Sequence, residues 1–157
     1  MAEVIGVIGI VSGLISISEA GIKISKSLRS LAMAKDQIND LATELSNISS
    51  TFRLLAEVLR SSEGLLKQAI IDNTQAILDD CEGTYAEIEG AVVLVERQNL
   101  RARERAQWPF RKAKIKQLKS RLESAKATLN LMVNILNLSA GIQFLQWVAT
   151  VGSLAIS

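Results

Sequence analysis

The chain has 157 residues, one cysteine (Cys81), one proline (Pro109) and no histidine. The lack of histidine excludes Ser/His and Cys/His nucleophile pairs, His-ligated metals and a histidine pH switch. The single cysteine excludes an internal disulfide and any CxxC zinc or redox site. Charge is segregated: residues 1–96 carry 7 basic and 14 acidic side chains, residues 97–126 carry 11 and 2, and residues 127–157 carry none. Such polarity points to contact with surfaces rather than with a small substrate.

Helical periodicity runs through the whole chain. Val7, Ile10, Leu14, Ile17, Gly21, Ile24, Leu28 and Leu31 alternate in steps of three and four and predict a helix over about 4–33. From Val4 to Ser18 this segment has no charge, and no Lys or Arg precedes the run, which argues against a secretory signal. Ile38, Leu41, Leu45, Ile48, Phe52, Leu55 and Leu59 predict a second helix over 37–60, with Asp36 placed to cap it. Ser61-Ser62-Glu63-Gly64 reads as a polar turn.

A third helix over 65–104 follows the seam Ile71, Thr74, Leu78, Cys81, Tyr85, Ile88, Val92, Val95. Gln107-Trp108-Pro109-Phe110 is the sharpest break, because proline disfavours helix at the residue before it and suits the first turn of the next helix. A fourth helix over 110–137 carries Ile115, Leu118, Leu122, Ala125, Leu129, Met132 and Leu136. Ser139-Ala140-Gly141 predicts a further break before a last apolar helix over 141–155. The expected fold is therefore all-α: one domain, a four-to-five-helix bundle of long antiparallel helices with seams repeating every 3.5 residues.

Two regions stand out chemically. Near the N-terminus, Val4, Ile5, Gly6, Ile8, Gly9, Ile10, Gly13 and Leu14 form a segment apolar on nearly all faces. Each glycine costs about 1 kcal/mol in a helix relative to alanine, and Gly9 and Gly13 at a spacing of four allow close helix approach, as inside lipid. The segment reads either as a releasable membrane-inserting helix or as a close crossing within a soluble core. Around Pro109, Arg97, Arg101, Arg103, Arg105, Arg111, Lys112, Lys114 and Lys116 form a basic tip, with Trp108 and Phe110 placed to insert beside anionic headgroups. The alternative is pairing with the acidic segment 36–96. Nucleic acid is disfavoured because no recognition motif accompanies the charge.

The remaining features are weaker. Asp79, Asp80 and Glu82 read as a solvated face, and Cys81 as a small core residue with acidic neighbours that would not stabilise a thiolate. Phe144, Leu145, Trp147, Val148, Val151 and Leu154 make an apolar ridge that suits a fifth bundle helix, a dimer surface or a lipid-facing piece. Asn130, Asn134, Asn137, Gln143 and Gln146 make the C-terminal run costly as a constitutive span, since each amide would face lipid. No phosphate loop or convergent polar set is present, so neither enzymatic activity nor any cofactor or metal is expected.

The opening MAEVIGVIGIVSGLISISEAGIKISKSL and the later WPFRKAKIKQLKSRLESAKATLNLMVNIL resemble the fungal Helo-like N-terminal domain of STAND (NLR-type) proteins, over roughly residues 1–140. More distantly, the chain is similar to HeLo and HELL cell-death domains and to the four-helix bundle of mixed-lineage kinase domain-like proteins. The resemblance implies a membrane-targeting execution domain of fungal innate immunity or incompatibility, which oligomerises and inserts its N-terminal helix. Implied partners are membrane phospholipids, further copies of the chain and an NLR-type sensor in cis or in trans. The expected location is cytoplasmic, with movement to the plasma membrane on activation. The rival expectation is an adaptor or oligomerisation domain of such a receptor that never enters a bilayer. No NACHT, ankyrin or amyloid-forming segment accompanies the match within these residues, so the trigger is expected from a partner or an appended sensor.

Overall fold

A computed structural model describes residues 2–31, 36–61, 66–98 and 108–156. Four helices account for nearly all of them: α1 (Ala2–Arg29), α2 (Asp36–Ser61), α3 (Leu66–Gln98) and α4 (Lys112–Ile156). Among the described residues there is no strand, and the chain is an all-α helical bundle. The seams read from the sequence are the seams that pack: every residue of the α2 and α3 tracks is buried, and so is the α1 track from Ile10 to Leu31.

The contacts fix the topology. The Ser18 hydroxyl donates to the Ser49 carbonyl and the Ser25 hydroxyl to the Ala42 carbonyl, each at 2.8 Å, so α1 and α2 run antiparallel. Gly13 faces Leu78 and Gly21 faces Tyr85, so α1 and α3 run parallel. Thr74 meets Met132 while Glu87 meets Lys114 and Arg121, so α3 and α4 are antiparallel. Helix α2 packs on α1 and α4, and α3 does likewise, placing α1 diagonally across from α4.

One expected boundary is absent. Residues 139–141 do not break the chain, and α4 continues for 45 residues. An isolated glycine costs a helix only about 1 kcal/mol, and without proline the residues around Gly141 have no reason to leave it. There is accordingly no fifth helix folded back to cover α1. Opposite the first residues of α3, α4 passes out of the bundle: Leu136 is the last buried side chain, and every side chain described from Ala140 to Leu154 is exposed.

The tightest packing lies where α1, α2 and α3 meet. A methyl group on Gly21 would sit 2.2 Å from Ser49 Oγ and 2.8 Å from Tyr85 Oη. Both hydroxyls are buried, and neither forms a hydrogen bond of normal geometry. Burial pushes the Tyr85 phenol well above its ordinary range, an effect the neighbouring Ser49 hydroxyl moderates. By contrast nothing lies within 4 Å of a methyl on Gly6 or Gly9, and on Gly13 it would make ordinary contact with Leu78. Close crossing within the core therefore explains Gly21 but neither Gly6 nor Gly9. Chemical denaturation should show Gly21→Ala losing about 1–3 kcal/mol through overpacking. Gly9→Ala, in open space, should be neutral or gain up to about 1 kcal/mol.

Candidate functional site: an apolar end and a basic end

Helices α1 and α3 start at the same end of the bundle, where α4 leaves it; Arg97 and the start of α4 lie at the other. A helix of 28 residues is about 42 Å long, so roughly 40 Å separates the apolar end from the basic end. The two groups of residues singled out for lipid contact are not brought together.

At the apolar end, α1 is more deeply committed to the core than its composition implies. Ile10 and Leu14 are buried, Leu14 completely, so neither is presented to lipid while the bundle is closed. Ile8 and Gly9 are exposed, and Gly6 and Gly13 are half-buried. Val4 and Ile5 lie in the first turns of α1, and their side chains fall outside the described residues. Val7, Ile8, Val11, Ser12, Ile15 and Ser16 of α1 bound, with Arg60 of α2, an open apolar groove of about 490 Å³.

The other feature of this end is the α4 extension. Phe144, Leu145, Trp147 and Leu154 are 62, 67, 61 and 72 % exposed, and the Phe144 and Trp147 rings stack at 6.2 Å. Two helices, α1 and α4, are long and apolar enough to cross a membrane by length and composition alone. In α1 the qualifying window is 39 % buried, in α4 only 17 %. A core helix passes such a test because its apolar stripe faces its neighbours. That accounts for much of α1 and little of the end of α4.

At the basic end the expected lipid contacts divide. Phe110 is buried in the core, and Trp108 is half-buried, its indole N–H donating to the Phe110 carbonyl at 3.1 Å and its ring meeting Phe110 edge-on. Phe110 thus packs inward, a correction to its reading as a residue placed to insert beside headgroups, and Trp108 rests half-buried against it. Lys114 bonds Glu87 at 3.2 Å, and Arg121 joins the same carboxylate. Farther along α4, Lys126 reaches the nearly buried Glu44 at 2.5 Å. Internal pairing thus accounts for these three bases. Arg97, Lys112 and Lys116 are exposed, as is Arg111, which has an interaction of its own, and no carboxylate lies in the first turn of α4. The positive end of the α4 dipole adds to their potential. Arg101, Arg103 and Arg105 lie outside the described residues.

Pairing with the acidic segment 36–96 is one of the two readings of the sequence, but Glu87 and Glu44 cannot be picked out there, because partners 27 to 82 positions apart leave no local signal. Cys81 is buried on the α3 seam, and its thiol is pushed up to about 12, first by burial and then by Asp80. Among the described residues no cluster of metal-ligating side chains occurs. No family model, curated protein or solved structure matches the chain.

Hydrogen bonds from Arg121 and Lys114 hold the Glu87 carboxyl below its ordinary value. Its contribution to stability is present above the ordinary carboxylate pKa and fades as pH falls through the lowered one. An NMR titration should therefore show the Glu87 midpoint rising in Arg121→Ala, and rising less in Lys114→Ala. Ellman's reagent should label Cys81 far more slowly in the folded chain than in urea-unfolded chain at the same pH.

Proposed function

We propose that the chain is a membrane-targeting cell-death execution domain of the fungal immunity and incompatibility type, which acts by oligomerising and inserting apolar helix ends into a bilayer. The observation that carries this reading is the end of α4: a charge-free helix, exposed from Ala140 to Leu154, at the same end of the bundle as the exposed Ile8 of α1. On insertion scales Ile142, Phe144, Leu145, Val148, Val151 and Leu154 each favour hydrocarbon by ~0.3–0.6 kcal/mol, together roughly 2–4 kcal/mol. The resemblance of segments 1–28 and 108–136 to Helo-like domains supports the same reading.

The geometry orders the steps. Arg97, Arg111, Lys112 and Lys116 draw the bundle to an anionic surface, each worth about 1 kcal/mol there. At first contact the bundle lies along the surface, since only that pose brings both ends to one leaflet; because α4 is one continuous helix, insertion of its extension then stands the bundle upright and lifts the basic end away. The α4 extension enters first because nothing in the bundle covers it. Insertion of α1 follows only if the Ser18 and Ser25 bonds to α2 break and Ile10, Leu14 and Ile17 leave the core. Clustering by an NLR-type sensor, in cis or in trans, supplies the bias for that opening.

The second reading, an adaptor that never meets lipid, draws on the same exposed extension, which in water would pair helix to helix. Vesicle flotation separates the two. The full chain should float with vesicles of mixed phosphatidylcholine and phosphatidylserine and release an entrapped dye. Leu145→Glu with Val148→Glu should abolish flotation without changing the melting temperature of the bundle. Lys112→Glu with Lys116→Glu should weaken binding to anionic vesicles by at least about tenfold, as the loss of two surface charges implies. Stable oligomers of the wild type that stay at the bottom of the gradient would establish the adaptor instead.

A further inference from the structure

The heptad track of α4 does not stop where the bundle stops. Ile115, Leu118, Leu122, Ala125, Leu129, Met132 and Leu136 continue in unbroken phase as Ser139, Gln143, Gln146, Thr150 and Ser153. The helix is continuous across this join, so the phase is physical and not an accident of numbering. At 3.6 residues per turn the five polar positions fall within an arc of about 80°. From Ala140 onward the rest of the circumference is apolar, including Phe144, Leu145, Trp147, Val148, Val151 and Leu154, whereas Asn137, at the start of the extension, lies on the opposite face.

The same face therefore changes polarity as it leaves the bundle. Up to Leu136 the seam is apolar and the opposite surface polar, the arrangement of a helix packed in water. From Ser139 the seam is polar and the surroundings apolar, the arrangement of helices packed in lipid, where uncharged hydrogen-bonding side chains lie between helices. An interfacial helix lying flat would need a broad, charged polar face, and this one is narrow and uncharged. The stretch 137–156 is 20 residues, about 30 Å of helix, the thickness of a bilayer core.

We propose that this seam is the contact between copies of the chain inside a bilayer, so that the α4 extensions assemble through Gln143 and Gln146, flanked by Ser139, Thr150 and Ser153. The inference rests on the membrane reading and names its assembling surface. A second copy is the fitting occupant because a glutamine amide both donates and accepts, making the stripe complementary to itself. With no charge on the extension, copies do not repel. With every bundle on the same side of the membrane, the extensions run parallel, and the 3.5-residue period sets a left-handed crossing. Two of the amides that count against a lone span, Gln143 and Gln146, are those that a cluster of spans would enclose.

The test uses the full chain labelled at its N-terminal amine with donor or acceptor dye, mixed with phosphatidylcholine–phosphatidylserine vesicles. Flotation and energy transfer are read on the same sample. The wild type should float and show transfer that unlabelled protein dilutes away. Gln143→Leu with Gln146→Leu should float at least as well, yet associate about tenfold more weakly in the membrane. Gln143→Asn with Gln146→Asn should retain transfer, and so should Phe144→Leu with Val148→Leu on the far side of the helix. Unchanged transfer in the double leucine variant, or a wild type that floats without transfer, overturns the seam and leaves the membrane reading standing. A wild type that does not float overturns both.

Discussion

Four helices of unequal length cannot cover one another completely, and that mismatch governs this molecule. Helices α1, α2 and α3 have 28, 26 and 33 residues, whereas α4 has 45. At 1.5 Å per residue α4 is about 68 Å long and its longest partner about 50 Å. Once the antiparallel register with α3 is set by Thr74 against Met132, the last third of α4 has no helix beside it among the described residues. An ordinary soluble sequence would fill such an overhang with charge. This one removes charge altogether after Lys126.

The closed state is held by a different device at the α1–α2 contact. Small residues on one face of α1, Ser18, Gly21 and Ser25, meet Ala42, Ser46 and Ser49 on α2, and two of the serines bond directly to the opposing backbone. Close approach of this kind is sterically demanding, as Gly21 shows, since Tyr85 from α3 presses into the same space. It is also tolerant of solvent: small-residue seams with backbone hydrogen bonds hold helices together in water and in lipid alike. Helix α1 is hydrogen-bonded to α2 from Ser18 onward and packed into the core from Ile10, while Ile8 and Gly9 are exposed.

Much of this was legible in the sequence because period-3.5 burial is a local property. The seam residues of α2, from Ile38 to Leu59, and of α3, from Ile71 to Val95, needed nothing but spacing. What was not legible depended on tertiary register. Phe110 reads as an interfacial aromatic beside lysines until the fold places it in the core. Lys114 reads equally as a lipid contact or as a partner of segment 36–96 until α3 brings Glu87 to it, and only the fold shows Arg121 joining Glu87 and Lys126 reaching Glu44. The continuation of α4 through Gly141 was obscured by treating a weak helix former as a helix breaker. The separation of the apolar end from the basic end could not be read at all, since it follows from the directions of four helices rather than from any one of them.

Those directions give the charge pattern its meaning. The charge-free part of α1, from Val4 to Ser18, and that of α4, from Ala127 onward, begin at nearly the same level of the bundle. Ser18 lies opposite Ser49 of α2, and Lys126, the last charge of α4, pairs with Glu44 one to two turns away on that same helix. From that level both helices run toward the same end of the bundle. They are also the diagonal pair, so each is flanked by α2 and α3, which keep Arg53, Glu57 and Arg60, and Asp72, Asp79 and Asp80. The two helices suited to hydrocarbon are thus held apart by two that are not. For α1 to join the α4 extension in a bilayer, α2 and α3 must move aside, and the seam they leave behind on α1 contains Ser18, Gly21 and Ser25. Those small residues suit helix packing in lipid as well as the contacts they make in the closed bundle.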